Sequence, residues 1–266
     1  MINAAVLGSP ISHSLSPLLH MSAYKLLSIS GKYISFDVPA GSLRNFLGDK
    51  DSGWTGFSLT MPLKEEVLLI ADKIDPLASR IQSGNTLVRQ ENQWILYSTD
   101  VLGFRQSWSA SNSAKPKSVL IVGSGATARA AAAAFDDSGT SILVLHRNTD
   151  REVSMQSCVE HSRMKFLPWQ FTNDFYEADL VINTTPKGAL DSFADKLAVK
   201  PEGTFFDVIY NPWPTDFAAA WTKTGSPVIS GLDLLIAQGI EQIRLFTDVD
   251  LDAEVLSSFL KQELTA

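Results

Sequence analysis

The chain has 266 residues, 45% of them hydrophobic and 19% charged, with a formal net charge of −7 and a mean hydropathy near zero. These values describe one or two globular domains with enough apolar material for a core, and they exclude a disordered or fibrous chain. The acidic balance argues against nucleic acid or an anionic membrane as partner, since both need a basic footprint, and small molecules are the expected ligands.

In chain order, apolar strand-like runs at Ile2 to Leu7, Tyr33 to Val38 and Thr55 to Leu59 alternate with helical stretches at Leu18 to Leu27 and Leu43 to Leu47, a βαβαβ rhythm. In the first helix Leu19, Ala23, Leu26 and Leu27 share one face, which is expected to pack on the sheet. A helix opened by Pro62 carries Val67 to Ile70. The runs Gly84 to Arg89 and Gln93 to Ser98 flank the polar turn Gln90-Glu91-Asn92 and predict a hairpin. From Ser107 to Lys117, Ser, Ala, Asn, Lys and Pro replace the apolar periodicity and mark a change of domain. Beyond it, the strand Ser118 to Val122, the turn Gly123-Ser124-Gly125 and the alanine-rich helix Ala126 to Phe135 begin a second α/β region. Further strands are expected at Ser141 to Leu145, Leu180 to Asn183 and Thr204 to Ile209, in a parallel sheet. Helices over Leu234 to Phe246 and Ala253 to Leu264 close the chain and are expected to pack on the N-terminal domain. The domains are thus 1–103, 104–231 and a C-terminal segment 232–266.

Cys158 is the single cysteine, so an intrachain disulfide and a four-thiolate metal site are both excluded, and a reducing cytoplasm fits. The N-terminal segment lacks the basic start of a secretory signal. No apolar run approaches the ~20 residues of a membrane-spanning helix. His13, His20, His146 and His161 show no close ligand spacing, and no metal is expected.

Gly123-x-Gly125-x-x-Ala128 lies between a predicted strand and a predicted helix, where glycines permit a tight turn and let backbone N–H groups approach a pyrophosphate. Alone, such a turn is as often mere topology. Where an NAD site ordinarily carries an acidic residue, the next strand ends in Leu145-His146-Arg147-Asn148. A guanidinium there suits a 2′-phosphate, which favours NADP, although Arg147 could be a solvated strand-end residue and Asp150 a ribose partner.

Ser16 followed by Pro17 reads as an N-cap and first helical residue, and the hydroxyls of Ser14 and Ser16 also offer an anion site. Lys64 stands in the first turn of its helix, where the macrodipole disfavours a cation. It is either a tolerated surface lysine, offset by Glu65 and Glu66, or a proton donor aimed at a ligand oxygen. Asn85 and Asp100 bracket the hairpin, so antiparallel pairing lets them reach one end of the sheet, unless both are ordinary turn formers.

Taken together and in order, Gly8 to Pro17, Thr60-x-Pro62-x-Lys64, Asn85-Thr86-Leu87, Thr99-Asp100, Gly123 to Arg129 followed by Arg147, Asn183 to Pro186, Asp207 to Pro212 and Gly231-Leu232-x-Leu234-Leu235-x-x-Gln238 resemble the motifs of the shikimate dehydrogenases. The chain departs from that pattern at Ser58, Ser98, Ala126, His146 and Asp233. The resemblance implies an α/β substrate domain and a Rossmann-like NADP domain separated by a cleft, in an oxidoreductase that reversibly reduces 3-dehydroshikimate to shikimate with NADPH on the aromatic amino-acid (chorismate) route. By resemblance, Ser14 and Ser16, helped by Tyr210, hold the substrate carboxylate, and Thr60, Lys64, Asn85, Asp100 and Gln238 its ring hydroxyls. Gly123, Ser124, Gly125, Ala126, Thr127, His146, Arg147, Asn148, Arg151, Val208 and Gly231 line the cofactor. A homodimer is one assembly open to such a chain.

A lysine ordinarily holds its proton at neutral pH, so Lys64 is expected to donate a proton during reduction and accept one during oxidation, coupled to Asp100. Two rivals are an NAD-using quinate/shikimate dehydrogenase and a non-catalytic NADP-binding paralogue. Arg147 speaks against the first, and the intact Lys64 and Asp100 against the second.

Overall fold

The βαβαβ opening is present. The structure, a computed structural model, describes residues 1–48, 53–112 and 114–265. Strand β1 (Ile2–Gly8) pairs in parallel with β2 (Gly31–Asp37) and β3 (Gly56–Leu59), joined through helices α1 (Ser16–Leu26) and α2 (Leu43–Gly48). After the one-turn α3 (Leu63–Glu66) come the two-residue β4 (Lys73–Ile74), α4 (Pro76–Arg80) and the hairpin of β5 (Thr86–Gln90) and β6 (Gln93–Tyr97). The sheet order is β2-β1-β3-β5-β6-β4, with β5 antiparallel to both neighbours. Glu91 and Asn92 take positive φ at the hairpin turn, as a two-residue connection between twisted strands requires.

Side-chain alternation gives the sheet two buried faces. Ala5, Leu7, Phe57, Leu59, Leu87 and Leu96 point to one, where Trp54, Phe57 and partly buried Phe36, Phe46 and Trp94 form an aromatic cluster. Removing a ring such as Phe57 from it costs about 3–5 kcal/mol. Ser58 and Tyr33 point to the other face, toward α1. There the buried side of α1 is Leu19, His20, Ala23 and Tyr24, while Leu26 is exposed and Leu27 half-buried. The apolar face expected from Leu26 and Leu27 is therefore rotated, because His20 and Tyr24 take the inward positions.

His20 is fully buried and stacked on Tyr33, with ring centroids 3.8 Å apart and planes within 8°. Its Nε2 lies 3.2 Å from Gln242 Oε1, and the neutral tautomer donates there. Burial pushes the imidazole pKa down to about 3, only partly opposed by the bond to Gln242. The unfolded chain titrates His20 near its ordinary value, so below about pH 6.5 it binds a proton that the folded chain refuses. The contribution of neutral His20 is complete above that pH and is lost as pH falls toward about 3, by about 1.4 kcal/mol per pH unit. Thermal unfolding followed by circular dichroism is expected to show a steeper fall in Tm from pH 6.5 to 5 for the parent than for His20→Phe. Parallel curves would exclude His20 as the source.

Helix α5 (Asp100–Ser109) follows the hairpin. Ser107, Trp108 and Ser109 are thus helical, against the irregular stretch expected from Ser107 onward; the apolar positions Val101, Phe104 and Trp108 share one helical face. Ser113, inside that stretch, lies outside the described residues. The chain divides into two units, Met1–Gly103 with Leu235–Ala266, and Phe104–Leu234.

The second unit is built on β7 (Ser118–Val122), β8 (Ser141–His146), β9 (Arg163–Pro168), β10 (Leu180–Asn183), β11 (Thr204–Asp207) and β12 (Val228–Ile229). All pair in parallel, in the order β12-β11-β10-β7-β8-β9, the doubly wound arrangement with its switch point between β7 and β10. The helices between them are α6 (Ala126–Ala134), α7 (Glu152–Gln156), α8 (Asp174–Glu177), α9 (Asp191–Ala194) and α10 (Asp216–Lys223). Leu120, Val122, Val181 and Phe205 pack with Phe175, Phe193, Phe217 and Trp221 on one face. Helix α6 is buried through Ala128 and Ala130 to Ala134. Helices α11 (Gly231–Thr247) and α12 (Ala253–Thr265) end the described chain, and in the first unit Leu19 of α1 lies against Gly239 of α11. Among the described residues no helix is long and apolar enough to cross a membrane.

Candidate active site

Strand direction alone gathers polar loops at one end of the first sheet. β1, β3 and β6 all end there, and the antiparallel β5 begins there. The segments concerned are the loop that carries Ser14, the turn with Thr60 and Lys64, Asn85 before β5, and Thr99 and Asp100 after β6. Lys64 Nζ lies 2.6 Å from Asp100 Oδ2, with both side chains largely buried at 16% and 9% exposure. Asp100 is the first residue of α5, where the helix end favours an anion.

The environment of Lys64 corrects one expectation. Helix α3 is a single turn that continues as a 3-10 turn over Val67–Leu69, too short to build the macrodipole invoked for Lys64. The charge of Lys64 is instead met by Asp100. Glu66 reaches out of the turn to accept from the backbone N–H groups of Gly41 and Leu43, at 2.8 and 3.1 Å.

Asn85 completes this group. Its Nδ2 donates to Asp100 Oδ1 and Thr99 Oγ1, both at 2.9 Å, and lies 3.2 Å from Gln238 Oε1. Its Oδ1 accepts from the Thr99 backbone N–H at 2.8 Å, a donor that fixes which end of the amide is oxygen. Lys64, Asn85, Asp100 and Gln238 are thus drawn into one hydrogen-bonded cluster. Ser14 and Ser16 are joined separately, Ser14 Oγ accepting from the Ser16 N–H at 3.3 Å. Helix α1 begins at Ser16 with Leu15 before it, so Ser16 is the first helical residue and not the cap expected, a one-residue shift at a boundary. The Thr60 methyl lies against Gly8, where a Cβ would collide with it.

In the second unit Gly123 has φ +114°, and a Cβ there would run into the Thr184 hydroxyl, so the turn after β7 requires glycine. Ser124 is buried behind it. No side chain caps α6 at Gly125, and the N–H groups of its first turn, from Ala126 and Thr127 onward, are the kind of donors that bind phosphate. Arg151 Nη1 would be 3.3 Å from a Cβ at Gly125, which puts a second guanidinium beside the turn. Exposed Arg147 lies over the Trp169 ring, 4.0 Å from its centroid, so its fork is held flat by a platform on the segment after β9. The residues present therefore fit an NADP-type ligand: a cradle that a Cβ would fill, uncapped amides, and two guanidinium groups.

His146 is buried, its Nδ1 2.9 Å from Asn148 O and its Nε2 3.1 Å from Glu152 Oε1 at the start of α7, so both ring nitrogens face acceptors of the chain itself. The Asn148 side chain accepts from the Asp150 N–H. A Cβ at Gly231 would collide with the Val208 carbonyl, which brings these two residues together, and half-buried Tyr210 follows Val208 in the segment after β11. Below that loop, the fully buried Asp207 accepts from Asn183 Nδ2, the Ile209 N–H and Thr215 Oγ1 at 3.0, 3.2 and 2.7 Å. Burial raises the Asp207 carboxyl pKa against these bonds.

Several contributors escaped the sequence reading. Trp169 gives no signal without β9, whereas Thr86 and Thr99 stand inside the quoted motifs. Besides His146, two departures from those motifs acquire partners: Ser58 bonds to Tyr33 and Gln242, and Asp233 accepts from the N–H and hydroxyl of Ser230. Asp136, Glu160 and His161 bring ligand-type atoms within 4.8 Å of one another. Asp136, however, directs both oxygens to the backbone N–H groups of Glu160, His161 and Ser162, which is loop pinning.

Residues 6–87 match the family model for the shikimate dehydrogenase substrate binding domain. A shikimate dehydrogenase (NADP(+)) of Methanosarcina acetivorans is 34% identical over 98% of both chains, and one from Thermus thermophilus is 32% identical over 93% of both. Among solved structures, Mycobacterium tuberculosis shikimate dehydrogenase superposes with a TM-score of 0.85 at 33% identity, covering 98% of this chain and 100% of that one. The Thermus thermophilus enzyme in complex with NADP(H) and shikimate gives 0.84 at 30% identity over 99% and 100%.

Proposed function

The chain belongs to the shikimate dehydrogenase family, and we propose that it reversibly reduces 3-dehydroshikimate to shikimate with NADPH, on the route to chorismate and the aromatic amino acids, using Lys64 and Asp100 as its proton couple. The observation that carries this reading is the largely buried Lys64–Asp100 pair, 2.6 Å apart, with Asn85 and Gln238 converging on it. Relatives named for NADP and one solved with NADP(H) and shikimate support both ligands.

In this reading NADPH, when bound, supplies the hydride that reduces the ring ketone. The residues of the chain bind, orient and manage the proton. The Lys64 ammonium has three hydrogens, of which Asp100 takes one, so it can also donate to the carbonyl oxygen as that oxygen gains charge. In the reverse direction the neutral amine takes the hydroxyl proton. Asp100 holds Lys64 in place in both directions, while Thr60, Asn85 and Gln238 take ring hydroxyls. Ser14 and Ser16 are assigned to the carboxylate. Gly123, Ser124, Gly125, Ala126 and Thr127 form the pyrophosphate turn, Arg147 and Arg151 take the 2′-phosphate, and His146, Asn148, Val208 and Gly231 shape the remainder. A reducing cytoplasm is the proposed compartment, on the strength of the single, buried Cys158.

The test is nicotinamide absorbance with shikimate and either NADP or NAD. Turnover with shikimate that is much faster with NADP than with NAD is the expected result. NADPH binding without turnover of 3-dehydroshikimate or shikimate would reject the enzymatic reading.

A further inference from the structure

The hydrogen bonds on Asp100 do not stop at Asn85. Asn85 Oδ1 accepts from Thr86 Oγ1 at 2.9 Å. A hydroxyl has one proton, so Thr86 must accept from a different donor, and Gln242 Nε2 lies 3.1 Å away. Gln242 Oε1 in turn accepts from Ser58 Oγ at 2.7 Å, whose oxygen accepts from the Tyr33 hydroxyl at 2.6 Å. Burial raises the Tyr33 phenol pKa above its ordinary range, and it stays a donor. The bonds therefore all run one way: Tyr33 to Ser58 to Gln242 to Thr86 to Asn85 to Asp100. Each side chain from Ser58 to Asn85 is at most 4% exposed, so water does not replace a lost link cheaply.

We infer that Thr86 and Gln242 are positioning residues for the Lys64–Asp100 couple, acting through the Asn85 amide. The inference rests on the reading of that couple as the proton-transfer machinery. Asn85 must offer its N–H to Asp100 Oδ1, so that Oδ2 remains for Lys64. Thr99 and Thr86 keep the amide in that orientation from its oxygen end, and Gln242 dictates where the Thr86 proton points. Neither residue touches Lys64 or Asp100 in the hydrogen-bond network. Gln242 lies one helical turn after Gln238 on α11, so the same helix presents one glutamine to the ligand cluster and the next to its support.

The decisive variant is Thr86→Val, which keeps shape and removes the hydroxyl, with Thr86→Ser as the conservative restoration. A loss in kcat of about tenfold is expected, the scale of a modest misplacement of catalytic groups. KM for shikimate should rise by less than kcat falls, since Asn85 also takes a ring hydroxyl, and the pH profile of kcat should shift as the Asp100 environment changes. Thr86→Ser should recover both. Gln242→Met should show the same pattern, and it carries the test if Thr86→Val does not fold. Unchanged kcat and pH profile with a lower Tm would make the chain purely structural and overturn the proposal, as would a rise in KM alone. Lys64→Ala is measured alongside. If it leaves turnover intact, the couple itself and this inference both fall. If it abolishes turnover while Thr86→Val and Gln242→Met do not alter kcat, only the positioning role falls.

Discussion

Replacing Lys64 with alanine is expected to lower kcat for shikimate oxidation by about a thousandfold, within the range assigned to a general acid–base group, while NADPH binding remains close to that of the parent. The cofactor turn and its arginines lie on a different unit of the chain, so their donors are untouched. The loss should appear in kcat and kcat/KM together, the pattern of an interaction made in the transition state. Removing Lys64 also leaves Asp100, at 9% side-chain exposure, without its cation, although Asn85 still donates to Oδ1. A fall in Tm should therefore accompany the kinetic loss, since a mostly buried carboxylate is costly unpaired. Lys64→Ala with turnover within a fewfold of the parent and only a higher KM would make Lys64 a binding residue.

A second large effect concerns cofactor choice. Arg147→Ala should raise KM for NADPH by about 10- to 100-fold, the value of one or two charge-assisted hydrogen bonds to a phosphate, and leave KM for NADH almost unchanged. Trp169 under the guanidinium adds a platform that orients the intrinsically planar fork. Arg151, beside Gly125, is placed to retain part of the preference, so the double replacement of Arg147 and Arg151 should bring the two cofactors close to parity. Equal losses for NADPH and NADH in Arg147→Ala would move that residue away from the 2′-phosphate.

The parts of this molecule that were legible in its sequence are those in which a local pattern repeats or a spacing carries chemistry. The first βαβαβ unit, the hairpin and the glycine turn belong there. Antiparallel pairing allowed Asn85 and Asp100 to reach one end of the sheet, beside the alternative that both were ordinary turn formers, and the structure joins them through the bond from Asn85 Nδ2 to Asp100 Oδ1. Elements below the reach of periodicity were missed: β4 and β12 are two residues each. Strand β9, Arg-Met-Lys-Phe-Leu-Pro at a sheet edge, has charged and exposed alternate positions. Helix α5 was hidden because serines at its end looked like a linker. The macrodipole reasoning about Lys64 invoked a cause that the one-turn α3 does not supply. The run from Tyr33 to Asp100 joins residues up to 184 positions apart, as Ser58 and Gln242 show, and no local pattern announces contacts of that range.

Helix α6, which carries the phosphate turn, is buried through a run of alanines from Ala130 to Ala134. An alanine side chain has no rotamers to lose. The seat beneath the turn therefore cannot rearrange by side-chain hopping, and it surrenders no side-chain entropy when a ligand arrives. The side-chain entropy cost of cofactor capture falls instead on the long arginines beside the turn, and affinity is adjustable there without disturbing the floor.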